Sequence, residues 1–305
     1  MSGRILIAGG TGLIGTRLSE MLIDLGYEVA HLSRQANAKT HYKTFKWNLE
    51  KNTIDDNVLQ YADYIINLAG ASVASGKWSP QRKKEILDSR TNGSRLLRKC
   101  LAQTQHHVKA FISASAVGIY GDTGDQLVTE ESQYGNDFLA EVTKKWEAAA
   151  WEIHELNIRT CIFRIGIVLS TEGGALPQIA RPIKLMAGAP LGSGKQYFSW
   201  IHIDDVCRLF IQAIEDPKFQ GVYNAVAPNP VTNKEFTTTL ADVMHRPLTG
   251  LKVPAFGLKM VLGEMSEVLL EGQRVSSDKV LKQGFTFEFN YLEEALKYFY
   301  SPERA

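Results

Sequence analysis

Short apolar runs alternate along this chain with longer segments in which apolar residues recur at helical spacing. Strands that alternate with helices are typical of βαβ units, which form a parallel sheet covered by helices on both faces. The runs are apolar almost without interruption, as expected for strands that are buried on both sides. This pattern predicts the α/β class and a doubly wound parallel sheet. The apolar runs lie at 5–8, 29–32, 64–68, 108–113, 160–167 and 222–226, and the helical segments at 13–25, 80–101, 137–156 and 204–214.

The alternation ends near residue 170. Eight glycines and prolines fall within 173–194, a density that indicates a loop-rich segment. The rest of the chain predicts helices with a short strand at 285–289. We therefore predict two parts, a sheet domain at 1–170 to which 202–228 returns, and a smaller C-terminal substrate cap formed by 171–201 and 229–305.

The charge balance and the cysteines argue against several classes of protein. The 34 Lys and Arg residues and 33 Asp and Glu residues give a net charge of +1, whereas proteins that bind nucleic acid or membrane surfaces carry a basic excess or patch. No stretch approaches the roughly 18 apolar residues that a membrane span needs. Three widely spaced cysteines favour a reducing compartment, and the seven histidines lack metal-binding spacing. We expect a soluble, cytoplasmic protein without a metal, nucleic-acid or membrane partner.

A glycine-rich turn joins the first apolar run to the first helical segment. Gly9 would form the tight turn, Gly12 would let a pyrophosphate approach the backbone, and Gly15 would let the helix pack closely on the strand. The helix N-terminus offers free N–H groups and the positive end of its dipole to phosphates. Because the turn follows a strand and opens a helix, it predicts a Rossmann dinucleotide-binding turn. The predicted cofactor contacts are Gly9, Thr11, Gly12, Leu13, Ile14 and Gly15.

The end of the second predicted strand indicates which dinucleotide is bound. NAD-binding proteins of this type place an acidic residue there for the ribose hydroxyls, but this chain has Ser33 and Arg34. A hydroxyl and a guanidinium suit a 2′-phosphate, because Arg donates bidentate, charge-assisted hydrogen bonds to phosphate. Such bonds contribute roughly 1.5–3 kcal/mol, which favours NADP(H) over NAD(H) by about ten- to hundredfold. The alternative is that Arg34 is a solvated surface arginine.

Several motifs resemble those of the extended short-chain dehydrogenase/reductases, the group that includes nucleotide-sugar epimerases. They are the glycine turn at 9–15, Asn67-Leu68-Ala69-Gly70, Ser113-Ala114-Ser115 with Tyr120-Gly121-Asp122, and His202-Ile203-Asp204-Asp205. Other stretches resemble an atypical branch of this group, the SDR39U1-like epimerase family proteins. These are GSGKQ at 192–196, SWIH at 199–202, YNAVAP at 223–228 and EGQRV at 271–275, so the resemblance covers essentially the whole chain.

The resemblance implies further cofactor contacts. Leu68, Ala69 and Gly70 close a strand at the place where members of the group contact the adenosine half of the dinucleotide. Arg90 stands in the following helix, where many relatives carry a dinucleotide-contacting Asn, and its cation would reach a cofactor phosphate. Glu85 would position Arg90 or a ribose, and Val168 would lie near the nicotinamide. Ordinary surface or core roles for Glu85 and Val168 remain open alternatives.

The reaction centre departs from the pattern of the group. Its members use a Tyr as acid or base, a Lys four residues later that lowers the pKa of the Tyr, and a Ser on the preceding strand. The pattern also has a Glu four residues after the Lys. Aligning that Glu on Glu147 puts Thr143 at the Lys position and Leu139 at the Tyr position, and neither can do the same chemistry. The substitute catalytic candidates are Ser115, Tyr120 and His202, and structural roles are the alternative for Tyr120 and His202.

Motifs and resemblance together predict an NADP(H)-binding oxidoreductase or nucleotide-sugar-epimerase-like enzyme that acts on a small polar metabolite. The loss of the Tyr and Lys supports an alternative, a non-catalytic NADP(H) sensor or partner-binding protein. A lyase or isomerase that uses bound NADP is a third possibility, which the sequence does not separate from the first. The resemblance also implies a possible homodimer, because relatives often dimerise through two helices.

Overall fold

The computed structural model describes residues 3–34, 41–55 and 57–301. The strands in these residues are β1 Arg4–Ala8, β2 Glu28–Ser33, β3 Lys43–Asn48, β4 Thr53–Ile54, β5 Tyr64–Asn67, β6 Ala110–Ala116, β7 Leu127–Val128, β8 Arg159–Ile165, β9 Ile167–Leu169, β10 Tyr197–Phe198, β11 Trp200–His202, β12 Gly221–Ala225, β13 Val231–Thr232 and β14 Arg274–Val275. The helices are α1 Leu13–Asp24, α2 Val58–Tyr61, α3 Pro80–Gln103, α4 Phe138–Trp151, α5 Ala175–Lys184, α6 Ile203–Glu215, α7 Asn233–Val243, α8 Ala255–Leu262, α9 Glu267–Leu270, α10 Asp278–Lys282 and α11 Leu292–Tyr300.

Eight strands form one sheet in the order β12-β8-β6-β5-β1-β2-β3-β4. All pairs are parallel except β3 with β4, so the predicted doubly wound parallel sheet is confirmed. The sequence pattern missed β3 and β4, because both lie at one end of the sheet and their residues are mostly half-buried or exposed. The strand order reverses between β5 and β1, and ligands of such sheets bind at this switch point, beyond the carboxyl ends of the strands.

The central strand β1 shows why both faces of the sheet are covered. Successive side chains of a strand point to opposite faces, and all four of its last residues are apolar and fully buried. Ile5 and Ile7 join the core beneath α1 and α6, whereas Leu6 and Ala8 join the core beneath α3 and α4. The two cores hold the carboxyl edge of the sheet in a fixed position.

A third core belongs to the cap. Helices α5, α7 and α11 surround β10 and β11, and Trp200 and Phe236 are fully buried among them. Strand β9, which follows β8 directly, pairs with β11, so the cap is attached at the carboxyl end of the sheet. The chain then returns through α6 to β12 at the sheet edge. No helix among the described residues is long and apolar enough to cross a membrane.

Residues 285–289 do not form the strand that the sequence predicts for them. The Asp205 carboxylate, at the start of α6, accepts the backbone N–H groups of Glu288 at 2.9 Å and Phe289 at 3.0 Å. This carboxylate takes the place of a neighbouring strand as hydrogen-bond partner. The phenylalanines at alternate positions of the segment are nonetheless buried, which explains the strand-like pattern.

Candidate functional site

The glycine turn between β1 and α1 is shaped by backbone contacts. Gly9 has a φ of +83°, and a Cβ there would lie 2.8 Å from the carbonyl carbon of Leu68. A Cβ on Gly15 would overlap the carbonyl oxygen of Gly9. Gly12 differs from both, because its φ is −80° and a Cβ would have 3.3 Å to its nearest neighbour. The backbone packing of the turn therefore requires glycine at positions 9 and 15 more strictly than at position 12.

The N-terminus of α1 is open to an anion. Among the residues that the structure describes, no side chain caps the helix, and its first turn contains no carboxylate. The helix dipole and the first N–H groups therefore face an open groove of about 670 Å³ that reaches to residues 170–173. Of the predicted contacts, Thr11, Gly12 and Leu13 line this groove, and Ile14 and Gly15 complete the first turn.

A buried histidine on β2 lies directly beneath the turn. A Cβ on Gly10 would overlap the imidazole of His31, whose Nε2 is 2.9 Å from the Ser19 hydroxyl. Burial lowers the pKa of His31, so the ring is neutral at physiological pH. The local sequence does not predict that position 10 must be glycine. His31 lies against this position because β2 pairs with β1, with Ile7 opposite His31.

Ser33 and Arg34 lie beside the same turn. Strand β2 pairs in parallel with β1 up to Ala8 and Leu32, so the next residues of both strands emerge at the same edge. Ser33 is half-buried and Arg34 is exposed. Arg34 makes no hydrogen bond or ion pair with the residues that the structure describes, so its guanidinium is available to a ligand.

The segment that follows β5 forms the other side of the turn. The backbones of Leu68 and Ala69 come so close to Gly9 that a Cβ there would lie within 2.9 Å of both. A Cβ on Gly70 would lie 3.3 Å from the guanidinium carbon of Arg90. The three residues that the family resemblance places at the cofactor thus lie between the turn and an arginine.

Arg90 presents a positive charge without a negative partner. Its Nη1 donates to the carbonyl oxygens of Ala71 at 2.9 Å and Ile86 at 3.1 Å, and its guanidinium lies over the ring of Trp146 at 5.2 Å. It forms no ion pair with any described residue. Burial, helped by the charge of Arg82, lowers the pKa of Arg90 to about 10, at which the group is still cationic at neutral pH. Such a group is suited to an anionic or oxygen-bearing ligand.

Two other predicted contacts have different surroundings. Glu85 pairs with Arg82 at 2.6 Å and forms no ion pair with Arg90 among the described residues, and its role in positioning Arg90 or a ribose stays a prediction. Val168 pairs in register with Ile201 between β9 and β11, and it does not line the cavity described next.

A cavity of about 230 Å³ lies where the carboxyl ends of β6 and β8 face the cap. Apolar walls with a few converging polar side chains are typical of small-molecule sites. The described residues contain no group of three His, Cys, Asp or Glu side chains that could hold a metal ion. The polar side chains that line the cavity are Arg90, Asp137, Thr143, Tyr197, Ser199, Glu267, Glu271 and Gln273.

Leu139 and Thr143 both line this cavity from α4. The positions that the family resemblance assigns to the usual Tyr and Lys thus face a cavity of small-molecule size. The Thr143 hydroxyl donates to the carbonyl oxygen of Leu139 at 2.8 Å, one turn earlier in the same helix. The cavity therefore has the location of a reaction centre without the usual proton-transfer pair.

A buried ion pair lies behind α4. Arg164 on β8 donates to Glu147 through two nitrogens, at 2.8 and 2.9 Å. Ser115 on β6 donates its hydroxyl to the same carboxylate at 2.6 Å. The arginine and glutamate side chains are 1% and 7% exposed. Glu147 thus connects α4 with two strands of the sheet.

Tyr120 extends this network. Its hydroxyl donates to Asn224 at 2.7 Å and accepts from Arg164 at 2.9 Å. Burial raises the pKa of Tyr120 to about 12, so the phenol does not release its proton near neutral pH. Neither Tyr120 nor Ser115 lines the cavity. This geometry favours structural roles for both over the predicted catalytic ones.

His202 also has a structural environment. Its Nδ1 accepts the N–H of Asp204 at 3.1 Å and so caps α6. The ring stacks on Phe289 and Phe299, with centroid distances of 3.9 and 4.7 Å. Burial lowers the pKa of His202 to about 4, so the ring is neutral at physiological pH. It does not line the cavity, and the structural alternative is favoured for it as well.

His202 predicts a loss of stability in mild acid. Between its unfolded pKa of 6.5 and its folded pKa of about 4, the unfolded chain binds the proton more readily, so stability decreases as the pH falls through this window. From pH 7 to pH 5 the group costs about 2 kcal/mol of unfolding free energy. Urea denaturation should show that His202→Asn, which can still cap α6, loses about 2 kcal/mol less over this range. Equal pH dependence in both proteins would contradict the neutral state of the buried ring.

Glu271 is a cavity residue for which the sequence predicts no role. Burial, assisted by the nearby carboxylates of Glu267 and Asp137, raises the pKa of Glu271 to about 6. A carboxyl that titrates near neutral pH can act both as an acid and as a base. Glu271 belongs to the EGQRV stretch that carries the family resemblance. Its raised pKa and its place in the cavity, however, depend on the packing of the cap on the sheet.

Two family models match parts of the chain. A model of the NAD dependent epimerase/dehydratase family matches residues 5–226, which contain the sheet and the glycine turn. A model of a domain of unknown function (DUF1731) matches residues 253–299, in the cap. Epimerase family protein YfhF of Bacillus subtilis is 39% identical over 295 residues, which cover 96% of each chain. Epimerase family protein SDR39U1 of Mus musculus is 36% identical over 96% of this chain and 97% of its own.

Solved structures of two other proteins are similar to this chain over nearly its whole length. A crystal structure of human epimerase family protein SDR39U1 (isoform 2) with NADPH has a TM-score of 0.87 and 31% sequence identity, and covers 98% of this chain and 99% of the human chain. UDP-glucuronic acid 4-epimerase from Bacillus cereus, in complex with UDP-glucuronic acid and NAD, has a TM-score of 0.78 and covers 99% of this chain and 100% of its own. At 17% identity, the latter shares the fold alone.

Proposed function

The chain belongs to the NAD dependent epimerase/dehydratase family and to its branch of SDR39U1-like epimerase family proteins, and from this membership we propose that it is an NADP(H)-dependent oxidoreductase or epimerase-like enzyme acting on a small polar metabolite. The observation that carries the proposal is an open N-terminus of α1 together with a cavity under the cap, both at the carboxyl edge of the sheet. The first fits a dinucleotide phosphate, and the second fits a small substrate. The NADPH in the crystal structure of human SDR39U1 supports the choice of cofactor.

The chain offers a separate group for each part of the cofactor. The pyrophosphate would lie on Gly12 and the first turn of α1, which no side chain of the described residues caps. Ser33 and Arg34 would bind the 2′-phosphate, and Arg90 would hold an oxygen or anionic group near the cavity. NADP(H) supplies or accepts a hydride when it is bound. The side chains of the cavity bind and orient the substrate and exclude water from it.

Arg34 should set the preference for NADP(H). Replacing it by alanine removes a charge-assisted contact worth roughly 1.5–3 kcal/mol, so the affinity for NADPH should fall about ten- to hundredfold. The affinity for NADH should change less than twofold. Thermal-shift titrations with both nucleotides measure this, because a ligand that binds only the folded state raises its stability. The matched control is Arg246→Ala, another exposed arginine, far along the chain in the cap. Equal losses for both nucleotides would contradict a 2′-phosphate contact.

The cavity wall also supports a second candidate function, a non-catalytic NADP(H) sensor. Leu139 and Thr143 face the cavity, and neither can exchange a proton near neutral pH. NADPH deuterated at both C4 positions distinguishes the two functions. An enzyme should transfer the label to acceptors in a protein-free filtrate of a cell extract, whereas a sensor should bind NADPH tightly and retain the label. Retention across filtrates from several growth conditions would overturn the catalytic proposal.

A further inference from the structure

We propose that Glu271, supplied by the cap, is the proton-transfer residue of the cavity and takes over the task that no cavity-lining side chain of α4 can perform. The inference rests on the proposed oxidoreductase function and names one residue for it. Three observations support it: the polar groups that line the cavity, the hydrogen bonds that these groups form, and the contacts that fix the backbone around Glu271.

Most polar side chains that line the cavity are already hydrogen-bonded to backbone groups of the protein. The described lining residues include no Lys, His or Cys. Thr143 and Ser199 both donate their hydroxyl protons to backbone carbonyl oxygens, at 2.8 and 2.7 Å. The Asp137 carboxylate accepts a backbone N–H of α4 at 2.9 Å and caps that helix. Arg90 stays cationic at neutral pH, and the indole N–H of Trp146 is not acidic, so the groups that remain for proton transfer are Glu267, Glu271 and Tyr197.

The backbone around Glu271 is fixed between two parts of the protein. A Cβ on Gly272 would overlap the backbone of Tyr197, so the segment packs directly against β10. On the other side the Gly272 N–H lies 3.3 Å from the Asp122 carboxylate, and the Gln273 side chain donates to the carbonyl oxygen of Gly121 at 2.8 Å. Glu267, in contrast, begins a helix of only four residues. A group on a fixed backbone loses less entropy when it reacts, which favours Glu271.

The Glu271 carboxyl is free to exchange its proton. The side chain is half-buried and forms no hydrogen bond or ion pair with any described residue. Besides burial and the charges of Glu267 and Asp137, the Asp122 carboxylate also opposes its ionisation, and the charge of Lys259 favours it by a smaller amount. Burial and three acidic neighbours therefore keep this carboxyl partly protonated near neutral pH, although it lines the cavity.

The proton transfer balances in both directions. For reduction, the O–H bond of the Glu271 carboxyl breaks and a new O–H bond forms on the substrate oxygen, while the carbonyl carbon gains the hydride of bound NADPH. For oxidation, the Glu271 carboxylate takes the hydroxyl proton as the hydride leaves to NADP⁺. Arg90, which lines the same cavity, provides a cation for the oxygen on which negative charge develops.

Glu271→Gln tests the proposal because it keeps the shape of the side chain and removes the proton. Label transfer from deuterated NADPH to the filtrate should become about 10²- to 10⁴-fold slower, the usual contribution of general acid–base catalysis. NADPH affinity should stay within twofold of wild type. Glu294→Gln, an exposed site on α11, is the matched control and should transfer label at the wild-type rate. A slow Tyr197→Phe variant beside a fast Glu271→Gln variant would overturn the assignment in favour of the phenol.

A second readout does not depend on cofactor or substrate. Carbon-13 NMR of the glutamate carboxyls in the free protein should show one resonance that titrates near pH 6 and is absent in Glu271→Gln. Glu267→Gln removes a neighbouring negative charge and should move that titration to lower pH. If wild type binds NADPH but transfers no label, the proposed function fails. If wild type and Glu271→Gln transfer label equally fast, the assignment of Glu271 fails and the proposed function stands.

Discussion

Replacing Arg164 by methionine will lower the free energy of unfolding by about 3–5 kcal/mol, because it leaves the Glu147 carboxylate buried without its cation. The glutamate side chain is only 7% exposed, so water cannot take the place of the guanidinium. The substitution also removes a hydrogen bond from Tyr120, whose hydroxyl accepts from the same arginine. Urea denaturation at pH 7, followed by tryptophan fluorescence, measures the loss.

Two controls separate the buried charge from the loss of packing. The double variant Glu147→Leu/Arg164→Met removes both charges, so it should recover at least half of the lost stability, since pairs of this kind are often replaceable by apolar residues. Lys297→Met breaks the exposed pair with Glu293 and should cost at most about 1 kcal/mol. An Arg164→Met variant as stable as Lys297→Met would mean that the Glu147 carboxylate is solvated or protonated in the folded protein.

The same arginine shows what the sequence can and cannot predict. The apolar run at 160–167 predicts strand β8 correctly, because burial on both faces is a local property of the pattern. A charged residue inside such a run indicates a buried partner. The partner itself, Glu147, comes from another element, and only the packing of α4 on the sheet brings the two together. Local patterns thus predict the elements, and long-range contacts determine how buried charges are paired.

Some residues of the candidate site can likewise be found from local sequence, whereas others depend on long-range contacts. Gly9 and Gly15 could be found from spacing, because their role lies in the geometry of one turn. Gly10 could not, since its neighbour His31 is brought there by strand pairing. Glu271 could not be found either, because it lines the cavity only through the packing of the cap against the ends of β6 and β8. Ser115 corresponds to the Ser that the family carries on the preceding strand, but its hydroxyl is hydrogen-bonded to Glu147 and does not line the cavity.

Gly12→Ala should reduce NADPH affinity at least a hundredfold, about 2.7 kcal/mol, with little effect on the free protein. The backbone at Gly12 is extended, a conformation that alanine adopts freely, and the new Cβ would have 3.3 Å to the carbonyl oxygen of Gly9. The unfolding free energy should therefore change by less than about 1 kcal/mol. The methyl group would nevertheless stand at the open N-terminus of α1, where a pyrophosphate must approach the backbone. Titration of NADPH fluorescence measures the affinity.

Alanine substitutions at two other glycines serve as controls for the loss of NADPH affinity in Gly12→Ala. Gly15→Ala should lose binding and stability together, because its Cβ would overlap the Gly9 carbonyl oxygen and force the turn apart. Gly257→Ala, on α8 with nothing within 4 Å of the new Cβ, should gain roughly 0.4–1 kcal/mol without a change in NADPH affinity. If Gly12→Ala bound NADPH as tightly as Gly257→Ala, the phosphates would have to lie away from α1. A loss confined to Gly12→Ala, at unchanged stability, ties the pyrophosphate to this helix terminus.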